Sequence, residues 1–278
     1  MTPAGRPEEP AVVHVDVDGT RLHVQDLGEG PVAVLVSGFG LDHQLWDRQV
    51  RVLVEAGLRV VCVDQRGHGL SDRPLSGYAV EDLAEDLRRV LEALDLRDVT
   101  LVGHSFGGQV AFRLAATDPD RVARLVLVGS NGLRASRSEA FPFGRSPEAT
   151  IDALVQAESE QRVASRVQTI ASGFAAQPDP AVLEWLVAVS LQMPSWAAVA
   201  CYRSMLETDL MDDLLRVGQP VLQVIGSADP VHSAKGARWL SERLVDSTLV
   251  EIEGCGHYPM LEAADAFEAA LVPFARGV

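Results

Sequence analysis

The chain has 278 residues, 47% of them apolar, which is enough for the core of one large domain or of a domain with an insertion. Its formal net charge of −15 at pH 7 argues against nucleic acid or an anionic membrane as a partner, and an uncharged or cationic substrate suits that field better. The three cysteines, Cys62, Cys201 and Cys255, are widely separated and indicate neither a disulfide framework nor a zinc site.

The N-terminal residues and the hydropathy pattern bear on the localisation of the protein. Residues 1–10 are rich in proline and lack the basic start and apolar core of a secretion signal. The chain also has no run of about 18 apolar residues, the length that a membrane-spanning helix needs. We therefore expect a cytoplasmic protein that acts on a small molecule.

Eight apolar runs predict strands. The first two, residues 12–17 and 20–25, are joined by Asp18-Gly19, a typical hairpin turn, so we expect His14 and His23 to be strand residues. Six more runs follow, at residues 31–36, 58–63, 99–102, 123–129, 220–226 and 248–252. Helical patterns separate most of them, at residues 42–56, 80–94, 109–116 and 234–244, and a last helix follows to about residue 275. This alternation predicts an α/β fold with a mostly parallel eight-stranded sheet and helices on both faces.

The alternation stops between residues 130 and 217, where apolar spacing predicts only helices. We interpret residues 131–217 as a helical cap inserted into a core formed by residues 1–130 and 218–278. Trp185, Trp196 and Met205 are candidates for lining a substrate pocket beneath the cap. The alternative is that these side chains form the core of the insertion itself.

The strand at residues 99–102 leads into a Gly-x-Ser-x-Gly sequence, residues 103–107, which is centred on Ser105. A strand, a sharp turn and a helix in this order are typical of a nucleophile elbow, in which the serine takes a strained conformation. The Phe106 amide at the helix N-terminus would then favour negative charge and supply half of an oxyanion hole. The alternative is a glycine-rich turn with a surface serine.

A serine hydroxyl needs an adjacent base to attack a carbonyl at neutral pH, and imidazole titrates in the required range. His257 lies in a glycine-flanked loop after the last predicted strand, at the sheet edge that also carries Ser105. His43, His104 and His232 are weaker candidates.

The base in turn needs an acid that fixes its tautomer. Asp229 follows the strand at residues 220–226 and gives the chain order Ser, Asp, His. The other suitable position follows the strand at residues 123–129, where Ser130 and Asn131 offer no carboxylate. Asp229 is therefore the predicted acid.

Two further loops follow strands at this edge. Residues 37–40, Ser-Gly-Phe-Gly, form a tight loop where ligands bind in open α/β sheets. Residues 64–72 contain an arginine, a histidine and two aspartates, and we expect these polar groups to bond the local backbone or to pair with one another.

These signals together resemble the α/β-hydrolase fold family, in particular its capped esterases, enol-lactone hydrolases and cofactor-free haloperoxidases. The likeness covers residues 20–275 and is carried by the Gly38-Phe39 loop, residues 64–72, the elbow at residues 103–107, and Gly256-His257 with Glu262. It is weakest across the cap.

The resemblance implies Ser105 as nucleophile, His257 as base, Asp229 as acid, and the amides of Phe39 and Phe106 as oxyanion hole. Where the family usually has His-Gly at the start of the oxyanion loop, this chain has Ser37-Gly38, a variation that is similar to enol-lactone hydrolases. The amide donor is kept and the histidine anchor is lost. A serine at the elbow also argues against epoxide hydrolases and haloalkane dehalogenases, which use a carboxylate.

We therefore expect a serine hydrolase, without cofactor or metal, that cleaves an ester or lactone of a small, mainly apolar molecule through an acyl-enzyme. The predicted substrate-binding residues are Phe39, Phe106, Trp185, Trp196 and Met205. One alternative is hydrolysis of an activated C–C bond, or a cyclisation or elimination, by the same residues. Another is a ligand receptor that kept the fold, since a fold alone does not fix a function.

Overall fold

The computed structural model describes residues 11–277, so Val278 and the proline-rich residues 1–10, where we looked for a secretion signal, lie outside the described residues. Its eight strands are β1 Ala11–Val17, β2 Thr20–Leu27, β3 Val32–Val36, β4 Arg59–Val63, β5 Val99–His104, β6 Val122–Val128, β7 Val221–Gly226 and β8 Ser247–Ile252. They form one sheet in the order β1-β2-β4-β3-β5-β6-β7-β8. β2 is antiparallel to β1 and β4, and all other neighbours are parallel. The mostly parallel eight-stranded sheet is thus confirmed.

The hairpin between β1 and β2 has the predicted turn. Asp18 and Gly19 have φ angles of 49° and 83°. Two successive positive φ angles are what a two-residue turn between right-twisted strands requires. The turn places His14 opposite His23 in the strand pair, so both histidines are strand residues, as predicted.

The helices are α1 Asp47–Glu55, α2 Val80–Ala93, α3 Phe106–Thr117, α4 Pro147–Ala171, α5 Pro180–Ser190, α6 Ser195–Glu207, α7 Ala234–Ser241, α8 Pro259–Glu262 and α9 Ala264–Arg276. Two 3-10 helices, His43–Trp46 and Met211–Arg216, precede α1 and β7. We had predicted one helix over residues 42–56, whereas the structure has the 3-10 helix His43–Trp46 followed by α1. The start of this 3-10 helix is capped by the Asp42 carboxylate, which accepts a hydrogen bond from the Gln44 amide.

Both faces of the sheet are covered, as the continuous apolar run of β3 requires. Val34 and Val36 pack with side chains from α2 and α3 on one face. Ala33 and Leu35 point the other way and pack with side chains from α1 and α9. The alternation along one central strand therefore separates the two layers of the core.

Residues 131–217, between β6 and β7, contain α4, α5, α6 and the second 3-10 helix, with one isolated β-bridge between Ser136 and Arg145. The backbone of α4 leaves helical geometry at Gln161 (φ −142°, ψ 44°), which separates two apolar patterns within it. Buried side chains of α6 pack on the α2–α3 side of the core, and those of α5 pack on the α1–α9 side. This segment therefore lies over both layers, and its standing as a separate cap stays a prediction.

No single helix among residues 11–277 has the length and apolar character needed to cross a membrane, while α5 and α6 pass that test only as a pair bent by 99°.

Candidate active site

Ser105 occupies the sharp turn between β5 and α3, with φ 52° and ψ −119°. A positive φ is costly for a residue with a side chain and persists only where the surroundings impose it. Here the Ser105 amide donates to the Val128 carbonyl oxygen over 2.9 Å. A side chain at Gly107 would lie 2.6 Å from the Ser37 carbonyl oxygen, so glycine is required where α3 meets the end of β3. The strained turn predicted for Ser105 is present.

The three residues predicted for the reacting centre form one hydrogen-bonded chain. Ser105 Oγ lies 2.9 Å from His257 Nε2, and His257 Nδ1 lies 2.9 Å from Asp229 Oδ2. The second carboxylate oxygen of Asp229 accepts from the amides of Val231 and His232. Because the carboxylate only accepts hydrogen bonds when ionised, the His257 proton belongs on Nδ1, and the Nε2 lone pair faces the serine hydroxyl.

Electrostatics keep the Asp229 carboxylate charged. Burial alone would raise the pKa of Asp229, but the charge and hydrogen bond of His257, with the His232 contacts, hold it below its usual value. Burial, followed by repulsion from His257, lowers the pKa of His232 to about 4 and that of His104 to about 3. At neutral pH both of these flanking imidazoles are therefore uncharged.

His104 and His43, two of the weaker candidates for the base, do not contact the Ser105 hydroxyl. The His104 Nε2 atom hydrogen-bonds the carbonyl oxygen of His257 over 3.0 Å, and His43 pairs with Asp64 instead. His232 lies beside His257, with stacked ring centroids 5.7 Å apart.

The loop that carries His257 is held by Glu262, for which we had predicted no role. One Glu262 oxygen accepts from the Tyr258 amide, and the other accepts from the amides of Gly256 and Ala175. The only sequence signal was its position five residues after His257. Glu262 thus links the histidine loop to the chain between α4 and α5.

The loop at residues 37–40 lies directly against the elbow, since a side chain at Gly38 would come within 2.8 Å of Ser105 Cβ. Ser37, at the start of this loop, donates its hydroxyl to the Asp42 carbonyl oxygen over 2.7 Å. Gln65 Nε2 donates to the Ser37 carbonyl oxygen over 3.0 Å. These two side chains fix the loop from inside the fold, and sequence reasoning had not identified Gln65.

Phe39 contacts two side chains from the helical segment. Its ring stacks on Tyr202 with centroids 4.2 Å apart, and the guanidinium carbon of Arg166 lies 5.2 Å from its centroid. Arg166 is fully buried and donates to both carboxylate oxygens of Glu158 and to Ser190. The position of Phe39 therefore depends on residues outside the sheet.

A cavity of about 290 Å³ opens above Ser105 and His257. Phe39 lines it from the core, and just over half of its lining comes from residues 131–217, including Met205 as predicted. Most lining side chains are apolar or carry hydroxyls.

Two of the residues predicted to bind substrate, Trp185 and Trp196, do not line this cavity. Trp196 is 48% exposed and donates its indole N–H to the Pro74 carbonyl oxygen. Trp185 packs against the part of the core beneath α5. The Phe106 side chain is fully buried in the core and does not line the cavity, so only its backbone amide can serve the site.

His23, His43 and Asp64 bring metal-ligand atoms within 4.8 Å of one another. The Asp64 oxygens already accept from the amides of His43 and Leu70 and from the His43 ring. Burial opposes protonation of His43, but the hydrogen bond and charge of Asp64 outweigh it and raise the His43 pKa. This agrees with the structural role predicted for the polar loop, and none of the three residues lines the cavity.

A family model described as the alpha/beta hydrolase fold matches residues 31–264. A non-heme chloroperoxidase from Streptomyces lividans is 30% identical over 269 residues, which cover 93% of this chain and 97% of the relative. An esterase from Exiguobacterium antarcticum superimposes with a TM-score of 0.90 at 28% identity, covering 94% of this chain and 97% of the other. The enol-lactonase from Burkholderia xenovorans LB400 gives a TM-score of 0.84 at 27% identity, covering 94% and 99%. Since the model matches most of the sequence, the chain belongs to the α/β-hydrolase fold family and is an enzyme of the hydrolase type.

Proposed function

We propose that the protein is a serine hydrolase that cleaves esters or lactones of small molecules through an acyl-enzyme on Ser105. The observation that carries this proposal is the chain of two 2.9 Å hydrogen bonds from Ser105 through His257 to Asp229 at the floor of the cavity. The likeness to an esterase and an enol-lactonase supports the same reaction class.

In the first half of the reaction, Ser105 Oγ attacks the carbonyl carbon while its proton passes to His257 Nε2. Asp229 stabilises the imidazolium that forms. The developing oxyanion accepts hydrogen bonds from the amides of Phe39 and Phe106, the second of which lies at the N-terminus of α3. When the tetrahedral intermediate collapses, His257 returns the proton to the leaving alkoxide, which departs as an alcohol or, for a lactone, stays tethered to the acyl group.

In the second half, water attacks the acyl carbon and gives its proton to His257. The second tetrahedral intermediate then expels Ser105 Oγ, which regains the proton. The carboxylic acid leaves, and the free enzyme is restored.

We propose further that residues 131–217 act as a cap that selects the substrate. The sheet-edge loops provide the same reacting centre for any acyl compound, whereas the helical segment contributes just over half of the cavity lining. The volume of about 290 Å³ is near the lower limit for ligand pockets, which favours a small substrate. Met205, and not Trp185 or Trp196, belongs to the lining.

The test is labelling with a fluorophosphonate, followed by turnover of a short p-nitrophenyl ester with and without the Ser105→Ala substitution. We expect stoichiometric labelling of Ser105, a burst of nitrophenol, and a loss of roughly three to six orders of magnitude in the variant. Full activity of Ser105→Ala would refute the proposal. Binding of the ester without turnover would favour a receptor, and turnover of C–C or elimination substrates alone would favour those reactions.

A further inference from the structure

The charge of the cavity is opposite in sign to that of the chain. The sequence has 39 acidic residues against 24 Lys and Arg, yet the residues that line the cavity include no Asp or Glu. Arg145 is the only Lys or Arg among them. Asp229, the nearest carboxylate in the reacting centre, has a fully buried side chain that is paired with His257. Arg145 therefore sets the local field that a ligand meets.

Arg145 has no partner within residues 11–277, where its guanidinium takes part in no ion pair or hydrogen bond. Arg134, in the same segment, is instead paired with Asp209. The backbone of Arg145 is nevertheless fixed, because it forms the isolated bridge with Ser136 and its carbonyl oxygen accepts from the Arg137 amide. A fixed backbone thus presents an unpaired cation at the edge of the cavity.

We propose that the preferred substrate is an ester or lactone that carries a second, free carboxylate, and that Arg145 binds this carboxylate. This inference rests on the serine hydrolase function proposed above. A guanidinium presents parallel N–H donors that match the two oxygens of a carboxylate. A cationic substrate would find no carboxylate in the lining to pair with and would meet Arg145 as a like charge.

The surroundings fit a substrate that is apolar between its two polar ends. Leu154 and Met205 line the same cavity as Arg145, and Ser105 lies at its floor. An acyl chain can therefore pack on apolar side chains while its ends meet Ser105 and Arg145. The expectation of an uncharged or cationic substrate was drawn from the net charge of the whole chain, whereas the lining of the cavity carries Arg145 and no carboxylate.

The test compares two p-nitrophenyl esters of the same five-carbon diacid, one ending in a free carboxylate and the other in a neutral carboxamide of nearly the same shape. Arg145→Gln is the test variant. Arg137→Gln is the matched control, because Arg137 is also exposed, lies on the same loop and forms no ion pair within the described residues, but is absent from the cavity lining.

We expect Arg145→Gln to lower the carboxylate-to-carboxamide ratio of kcat/KM roughly tenfold, as loss of a charged hydrogen bond does. Inhibition by the free diacid should weaken by a similar factor. Arg137→Gln should leave both measurements at the wild-type value.

An unchanged ratio in Arg145→Gln, or an equal fall in Arg137→Gln, would overturn the inference and leave the hydrolase function standing. If neither ester is hydrolysed and the fluorophosphonate does not label Ser105, the proposed function itself fails, and this inference fails with it.

Discussion

Removing one member of the buried Glu158–Arg166 pair is expected to lower the free energy of unfolding by about 3–5 kcal/mol, the usual cost of leaving a buried charge without its partner. Both side chains are fully inaccessible to solvent. Arg166 donates to Glu158 over 2.8 and 2.9 Å and to the Ser190 carbonyl and hydroxyl over 2.6 and 2.8 Å. The variant to test first is Glu158→Gln, which keeps the shape and removes the charge.

Replacing both members should lower the free energy of unfolding by less than the two single replacements added together, because the double variant leaves neither charge unpaired. In Glu158→Gln/Arg166→Met, the losses are the donor to Ser190, worth about 1–3 kcal/mol, and the contact with Phe39, worth about 2 kcal/mol or more. Urea denaturation of the wild type, the two single variants and the double variant then gives a double-mutant cycle. We expect a coupling free energy of at least about 2 kcal/mol between Glu158 and Arg166.

The same substitutions should affect the reaction, because the Arg166 guanidinium lies 5.2 Å from the ring centroid of Phe39. A desolvated contact of this kind contributes about 2 kcal/mol or more. We expect the double variant Glu158→Gln/Arg166→Met to lose about tenfold in kcat on a p-nitrophenyl ester with little change in KM, since a rate factor of ten corresponds to about 1.4 kcal/mol.

Arg162→Gln is the matched control, since Arg162 Nε lies 3.4 Å from the same Glu158 carboxylate and its side chain is partly exposed, while the cation over the Phe39 ring is Arg166. It should lower stability modestly and leave kcat unchanged. A loss of less than about 1 kcal/mol in Glu158→Gln, well under the range for a buried pair, would show that this ion pair does not stabilise the fold. Full kcat in the double variant would show that Arg166 does not act on the reaction through Phe39.

Asp229→Asn is expected to fold normally and to lose on the order of 10⁴ in kcat, because the amide favours the wrong imidazole tautomer. Asp64→Asn should instead lower thermal stability and leave most of the activity, and the reverse outcome would show that Asp229 is not the acid. Burial lowers the pKa of His68 to about 4, so only the unfolded state takes up that proton as the pH falls below about 6.5, and stability decreases. From pH 7 to pH 5 this group should account for about 2 kcal/mol of the loss, which His68→Gln should abolish in urea titrations; an unchanged pH dependence would contradict this. Met205→Ala should change the ratio of kcat/KM between a short and a bulky ester by about 1–3 kcal/mol, whereas Trp196→Ala should leave it unaltered. Equal effects of the two substitutions would mean that the cavity is not the acyl pocket.

The parts of the fold that local sequence determines were predicted well. The β3 run is apolar at every position because both of its faces are buried, and the Asp18-Gly19 turn needs two residues that tolerate positive φ. The elbow at Ser105 was predictable for the same reason, since glycines at fixed spacing allow close backbone approach. Asp229 and His257 each follow a parallel strand, so their loops could be predicted to lie at the same sheet edge as Ser105.

The helical segment was harder, because periodicity gives the apolar face of a helix but not the surface that this face meets. Trp196 and Met205 lie on the same helix, and only Met205 lines the cavity while Trp196 reaches Pro74. The unpaired state of Arg145 was equally unpredictable, since it depends on which carboxylates the fold brings near. Glu262 was visible as a motif residue, but its hydrogen bond to Ala175 joins parts of the chain 87 residues apart.

The contacts of His257 explain why the core and the helical segment cannot vary independently. The His257 amide donates to the Gly173 carbonyl oxygen, and its own carbonyl oxygen accepts from His104 of the elbow. Glu262 then ties the residues on either side of His257 to Ala175. A change that shifts the end of α4 therefore moves the imidazole relative to Ser105, and a hydrogen bond of 2.9 Å tolerates little displacement. Residues on the cavity-facing sides of α4 and α6 can change the pocket without this effect, whereas the chain that follows α4 is constrained by the proposed reaction itself.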